Sequence, residues 1–343
     1  MARIPVTVLT GFLGAGKTTL LNRVLRGAGA RRWAVIVNEF GELGIDGDLV
    51  VGADEEVYEL NNGCVCCKLR GDLLRIATSL VRRPERLDGI LIETSGLADP
   101  APVVQTFALD DLLRQHTRLD SIVCVADARH LASQLRDYPE AAGQVAQADL
   151  VLLNKADLAD AAALAEAEAA LRALNPDAET RPTVRGDFPI DLLLERHAFD
   201  NSRLRLQSLR LGAAAGRPGA YVRVGQGSHS AGVGSVSLAF ERPLERSRFM
   251  PWLQRLVVER GADLLRAKGI VAFEAEARRF VFQAVHMTVD SGFERPWAGD
   301  EARESRLVFI GRGLDADELR AELELCLAEP CEAESAMSPE LAP

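Results

Sequence analysis

Three short segments bring together residue types that can do chemistry. The first is Gly11-Phe12-Leu13-Gly14-Ala15-Gly16-Lys17-Thr18, the pattern of a phosphate-binding loop. Its glycines let the backbone curl until several N–H groups point at one place. That makes an anion nest at a helix start, where the helix dipole also favours phosphate. Lys17 would reach the β- and γ-phosphates and the Thr18 hydroxyl would ligate Mg²⁺, with Gly11, Gly14, Ala15, Gly16 and Thr19 completing the cradle. The second segment, Asn154-Lys155-Ala156-Asp157, bears on the base. The Asp157 carboxylate can accept hydrogen bonds from N1–H and N2–H of guanine, whereas adenine offers no such donor pair and leaves the carboxylate unpaired. Asn154, Lys155 and Asp157 therefore make guanine the favoured base.

The third segment, Ile90-Leu91-Ile92-Glu93-Thr94-Ser95-Gly96, puts an acidic residue where nucleotide hydrolases hold the Mg²⁺ shell, and the Gly96 N–H can reach the γ-phosphate. Glu93 is one methylene longer than the Asp usual at this place, so it is expected to act through a water or on a second metal. Lys17, Glu93 and Gly96 are the candidate catalytic residues.

Of the six cysteines, three fall within Cys64-Val65-Cys66-Cys67. Thiolates select Zn²⁺, Co²⁺ or Cu(I) over Mg²⁺ or Ca²⁺. Three sulfurs leave one position of a tetrahedral ion for a carboxylate, a His, water or a client protein, and an incomplete site suits transfer better than permanent structure. A redox pair at Cys66 and Cys67 ranks second, because a vicinal disulfide is strained, and a purely structural role ranks third. Asn38-Glu39-Phe40-Gly41-Glu42 follows a strand-like run, so Glu39 and Glu42 are candidate oxygen ligands for Mg²⁺ or for the transferred metal. For Glu42 a solvated acidic loop weighs as much. Cys124 sits in an apolar run and reads as a buried, inert thiol. His130, at a strand end, and His286, in a strand-like run, stand out among scattered histidines.

These residues need elements to hold them. Short apolar, β-branched runs at 6–9, 33–37, 89–92, 121–125 and 150–153 read as strands buried on both faces, and 18–25 and 161–174 read as helices between them. The fold class is thus α/β, a doubly wound, mostly parallel sheet, with a smaller α+β C-terminal domain. The expected domains are 1–205, a small-residue linker at 206–220, a second domain at 221–328 and a disordered tail at 329–343. In the second domain strands are expected at 234–240, 269–273, 280–289 and 306–310, with helices at 244–260 and 315–327. Trp252 and the 280–289 run are a candidate client surface.

Bulk properties narrow the class. The 343 residues, 48% hydrophobic and 26% charged, are those of a folded globular chain, and a net charge of −10 argues against a nucleic-acid partner. No apolar run is long enough to span a bilayer, and the start leads straight into a strand-like run, so no membrane association and a cytoplasmic location are expected.

Thr10-Gly-Phe-Leu-Gly-Ala-Gly-Lys-Thr-Thr19, Asn61-Asn-Gly-Cys-Val-Cys-Cys67 and Glu93-Thr-Ser-Gly-Leu-Ala-Asp-Pro100 together resemble the CobW-like metallochaperone GTPases of the SIMIBI class. The C-terminal stretches Leu265-Arg-Ala-Lys-Gly-Ile270 and Phe282-Gln-Ala-Val-His286 extend the likeness over nearly the whole chain. The resemblance implies GTP hydrolysis coupled to loading of Zn²⁺, or else Co²⁺, into a client metalloprotein. It makes Cys64, Cys66 and Cys67 metal ligands and leaves a monomer or a nucleotide- or metal-dependent dimer as the assembly. Many members carry a His-rich tract between the domains, where this chain has only Ser228-His229-Ser230. Slow intrinsic turnover, accelerated by metal or client, is expected. A GTP-gated metal sensor or buffer and an ATP-dependent small-molecule kinase are the alternatives.

Overall fold

A computed structural model describes residues 3–27, 31–37, 56–59, 66–203, 220–225, 232–299 and 301–329. Seven strands form one sheet in the order β3-β2-β4-β1-β5-β6-β7: β1 (Ile4–Thr10), β2 (Trp33–Val37), β3 (Glu56–Glu59), β4 (Gly89–Glu93), β5 (Thr117–Asp127), β6 (Leu150–Asn154) and β7 (Glu179–Pro182). Every neighbouring pair is parallel. The central strands β1, β4 and β6 are buried at every residue because helices cover both faces, which is why they read as continuous apolar runs. Among the helices, α1 (Lys17–Gly27) buries Leu20, Leu21, Val24 and Leu25. On another face, α2 (Cys66–Val81) sets Leu73, Ala77 and Leu80 in a cluster with Ile90 and Ile92 of β4. The connection from β4 to β5 contains α3 (Ala101–Leu109) and α4 (Asp111–His116), and β5 leads through α5 (Leu131–Asp137) and α6 (Pro139–Gln147) to β6. α7 (Ala161–Leu174) and the short α8 (Ile190–Leu193) complete this half. Among the described residues, no helix is long and apolar enough to cross a membrane.

The chain leaves β1 toward β2, β3 and β4 on one side and returns to β5, β6 and β7 on the other. A crevice therefore opens at the carboxyl ends of β4, β1 and β5, the place where such sheets bind ligands.

The second sheet has six strands in the order β12-β11-β10-β13-β9-β8: β8 (Ala220–Gly225), β9 (Val233–Phe240), β10 (Leu264–Val271), β11 (Arg278–Val285), β12 (Thr288–Pro296) and β13 (Ser305–Arg312), all antiparallel to their neighbours. One face packs α9 (Arg246–Arg260), whose Phe249, Trp252, Leu253, Leu256 and Val257 recur at helical spacing, and α10 (Ala316–Glu324). The other face packs on the first domain: Val308 and Ile310 of β13 share a cluster with Ala141, Val145 and Leu171, while Leu307 and Phe309 face α9.

That two-sided burial corrects three expectations. The strand placed at 269–273 starts five residues earlier, at Leu264, because Arg266 and Lys268 are buried at 2% and 7% exposure rather than solvated. The strand placed over 280–289 is two strands, with Val285 opposite Thr288 across a two-residue connection in which His286 has φ 50°. The candidate client surface is interior instead, with Trp252 4%, Phe280 4% and Phe282 0% exposed. The strands β3, β7 and β8, and β12 beyond residue 289, add to the expected set. The tail from residue 330, and the linker up to residue 219, lie outside the described residues.

Arg266 donates to the backbone oxygen of Gln147 and to the Asp149 carboxylate, and Lys268 Nζ lies 3.2 Å from Asp149 and 3.4 Å from Asp177. Burial works to raise the Asp149 carboxyl, but the two cations, the Ile122 N–H and the Lys268 hydrogen bond outweigh it and hold it below its ordinary value. The unfolded state therefore binds more protons over that window, so stability rises with pH there and is lost as pH falls from about 4 through the folded value. Asp149→Asn, which strands a buried guanidinium, is expected to cost about 3 kcal/mol at pH 7 in urea unfolding and to flatten this acid limb. A loss below about 0.5 kcal/mol would mean the cluster is not coupled to folding.

Candidate functional site

At the carboxyl edge of β1 the chain turns at Gly11 (φ 142°), where an added Cβ would lie 2.1 Å from the Val125 oxygen of β5. At Gly16 (φ 107°) a Cβ would meet Asn154 Nδ2 at 2.4 Å. Both positions require glycine, in backbone conformation and in space. Gly14 is exposed at the tip, Ala15 is fully buried, and helix α1 begins at Lys17, with the Leu20 N–H bonded to the Gly16 oxygen at 3.0 Å. Lys17 is 8% exposed and its Nζ donates to the Phe12 oxygen at 3.3 Å, which folds the ammonium over the loop. Thr18 Oγ1 donates to Glu93 Oε1 at 3.1 Å, and Thr19 is exposed beside it.

The register explains the last contact. Leu9 pairs with Glu93, so β4 ends level with the start of loop 11–18. Beyond Glu93, Thr94 donates to Thr10 Oγ1 at 3.0 Å, and Gly96 is seated so closely that a Cβ would lie 2.8 Å from the Leu13 nitrogen. Hydroxyl and carboxylate are the hard oxygen donors Mg²⁺ takes, and neighbouring ligands of an ion with bonds near 2.1 Å sit about 3 Å apart. Thr18 and Glu93 fit such an ion.

Asn154 is 2% exposed and commits its whole amide to the protein. Nδ2 donates to the Ala15 oxygen at 2.9 Å, while Oδ1 accepts from the Gly186 N–H at 2.9 Å and from Thr183 Oγ1 at 3.4 Å. It thus ties the ends of β1, β6 and β7 together. Lys155 adopts a left-handed backbone (φ 58°) and donates to Asp127 Oδ2 at 2.8 Å, with His130 Nδ1 3.3 Å from the same oxygen. Burial works to raise the Asp127 carboxyl, but hydrogen bonds from Lys155, His130 and the Arg129 N–H hold it below its ordinary value. Asp157 is exposed in the short turn Ala156–Leu158, with no side-chain partner among the described residues.

Two contributors escaped sequence reading. Loop 183–187 closes over Asn154 with positive φ at Arg185 (52°) and Gly186 (66°), but the strand before it, Glu-Thr-Arg-Pro, is too short and polar to show a period. Asp127 ends the apolar run of β5, a position that signals a ligand edge.

The backbone of Cys66 and Cys67 opens α2 after β3, on the same carboxyl side of the sheet. Cys64, Glu39 and Glu42 lie outside the described residues. Among the described residues no three metal-binding side chains converge. Burial pushes the Cys124 thiol up to about 12, as suits an inert core cysteine. His286, expected in a strand, is buried in the β11–β12 connection, and His116 is exposed.

Residues 5–182 match the family described as CobW/HypB/UreG, nucleotide-binding domain, and residues 233–327 match the cobalamin synthesis protein cobW C-terminal domain. The chain is 38% identical to a zinc chaperone CobW of Pseudomonas aeruginosa over 96% of this chain and 92% of that one. It is 33% identical to the zinc chaperone YjiA of Escherichia coli over 94% and 98%. The crystal structure of the Zn(II)-bound YjiA GTPase from E. coli superposes with a TM-score of 0.73 at 28% identity, covering 96% of this chain and all of that one. A nucleotide-binding domain with this edge geometry, followed by the matching C-terminal domain over nearly full length, makes the chain a member of the CobW family.

Proposed function

We propose that the chain is a GTP-hydrolysing metallochaperone that carries zinc, or else cobalt, on Cys64, Cys66 and Cys67 and delivers it to a client metalloprotein. The observation that carries the nucleotide half is the 3.1 Å pairing of Thr18 with Glu93 beside a loop whose glycines are sterically required. On this reading loop 11–18 and Lys17 hold the phosphates. Thr18 and Glu93 hold Mg²⁺, which when bound supplies positive charge to the transferring phosphoryl group. Glu93 reaches Thr18 directly, which supports a direct place in that shell over the water-bridged one expected from its length. Gly96, beside Leu13, offers its N–H to the γ-phosphate. Asp157, exposed and without a side-chain partner among the described residues, takes the guanine edge, and Asn154 positions the loops around it rather than touching nucleotide.

For the metal half, Cys66 and Cys67 are the first residues of a 16-residue helix with no acidic residue in its first turn. A helix N-terminus favours the thiolate, the form that binds metal. The relatives named zinc chaperones favour zinc as the cargo. Glu39 and Glu42 remain candidates for the remaining ligand position.

Titrating Zn²⁺ and Co²⁺ with GDP, with GTP and with a non-hydrolysable GTP analogue is expected to give affinities differing by about 5- to 150-fold between the GDP and analogue states. Identical affinities in all three would leave a plain metal buffer. Cys64→Ser, Cys66→Ser and Cys67→Ser combined should abolish tight metal binding while GTP affinity changes less than about twofold. Asp157→Ala should lower GTP affinity by at least about tenfold, since a bidentate charged contact is worth about 1.5–3 kcal/mol, and leave weak ATP binding unchanged. Tighter binding of ATP than GTP by the unmodified chain would favour the kinase reading.

A further inference from the structure

Segment 96–99 follows Glu93 and precedes α3, and it is held from behind by two glutamines one helical turn apart on α6. Gln144, 1% exposed, donates from Nε2 to the Gly96 and Ala98 oxygens, each at 3.1 Å. Gln147, fully buried, donates from Nε2 to Asp99 Oδ1 at 2.8 Å. The second domain reaches the same two points. Arg266 of β10 donates to the Gln147 backbone oxygen, and His286 Nε2, which has no hydrogen-bond partner among the described residues, stands 3.7 Å from Asp99 Oδ2, an approach in space and not a hydrogen bond. The His286 ring is fixed from its other side, where Nδ1 lies 3.1 Å from the Gly261 oxygen and must be the donor, because a carbonyl only accepts. His286 pays a left-handed backbone (φ 50°) to stand there.

We infer that Gln144, bonded to the Gly96 carbonyl, is the positioning residue for Gly96, and that Gln147 and His286, acting through Asp99, let the C-terminal domain set the preference of the nucleotide site for GTP over GDP. This rests on the nucleotide reading above. If the Gly96 N–H meets the γ-phosphate, only the triphosphate state feels how Gly96 is held through its carbonyl, because GDP has no group there. The relay is short: Gly96 and Ala98 to the buried Gln144, the half-exposed Asp99 side chain to the buried Gln147, then Arg266 of β10 and His286 of the β11–β12 connection. Since linkage is reciprocal, a partner that shifts the C-terminal domain changes GTP affinity, and GTP changes the affinity for that partner by the same factor. Ser235 of β9 supplies a comparison, since its hydroxyl bonds the Ala173 oxygen of α7 at 2.7 Å across the same domain seam and makes no side-chain hydrogen bond to α6 or segment 96–99.

The test uses the full chain with Mg²⁺ and measures equilibrium affinity for GDP and for a non-hydrolysable GTP analogue. Gln144→Met keeps length and removes both donors, Gln147→Met removes the bond to Asp99, and His286→Asn keeps a donor for Gly261 with a residue that tolerates positive φ. The expected result is an analogue affinity about tenfold lower for Gln144→Met, equal to about 1.4 kcal/mol, and about threefold lower for each of the others. GDP affinity should stay within about twofold in all three, and Ser235→Ala should change neither. His286→Asn combined with Gln147→Met should lose less than the product of the single losses, because both act on Asp99. Equal losses for both nucleotides, an unchanged ratio in folded variants, or the same shift in Ser235→Ala would overturn the relay. Failure of the unmodified chain to bind either guanine nucleotide would instead overturn the GTPase reading beneath it.

Discussion

The backbone at Gly11 passes so close to the Val125 carbonyl that no side chain fits between β1 and β5, and the geometry of the carboxyl edge depends on that approach. Because β1 lies between β4 and β5, its continuation must leave the sheet through the crevice where the two halves of the winding diverge. A tight exit keeps the end of β1 and the loop after it in contact with both sides: Thr10 with Thr94 on the β4 side, and Ala15 with Asn154 beyond β5. The buried amide of Asn154 fixes the second contact, and leaving it half-paired would cost about 1–3 kcal/mol. Its two ends hold two loops at once, so Lys17, Thr18 and Glu93 are placed by the sheet rather than by their own rotamers. On the proposed reading, that is how a parallel sheet organises backbone N–H groups into an anion site.

A different kind of constraint orients the second domain. Its sheet presents Arg266 and Lys268 on a face otherwise made of Leu265, Ile270 and Val308, against Asp149 and Asp177 of the first domain. Buried ion pairs contribute little net stability, since desolvation offsets most of the attraction, but breaking one is expensive. The apolar part of the seam tolerates sliding, whereas the charges are satisfied in one orientation. That orientation brings β10 and the β11–β12 connection to the back of segment 96–99.

The reach of sequence reasoning follows from burial. β2 and α7 are legible to the residue, because strands buried on both faces and amphipathic helices each leave a clear pattern. The seam erases that pattern in β10, where Arg266 and Lys268 look solvent-facing until their carboxylate partners, more than eighty residues earlier in the chain, are seen across the interface. β11 and β12 merge into one run because the two-residue connection that separates them holds a histidine in a conformation usually taken by glycine. At the site, the types and spacing of Lys17, Thr18, Glu93 and Asp157 were readable from local motifs. The positions of Gln144 and Gln147 were not, because a glutamine facing a distant backbone oxygen has no local signature.

On the proposed reading, nucleotide and metal need a physical connection, and the β3-α2-β4 unit offers one. Its helix starts at Cys66 and Cys67, and its last strand ends at Glu93, the partner of Thr18. Leu73, Ala77 and Leu80 pack in one cluster with Ile90 and Ile92, so helix and strand move together or not at all, as close-packed interiors do. A change at Glu93 when the phosphates change can then reach the helix start without any hinge inside the unit. The same rigidity works in reverse. Metal that draws the thiolates together must bias the placement of Glu93, and the two effects are equal by linkage.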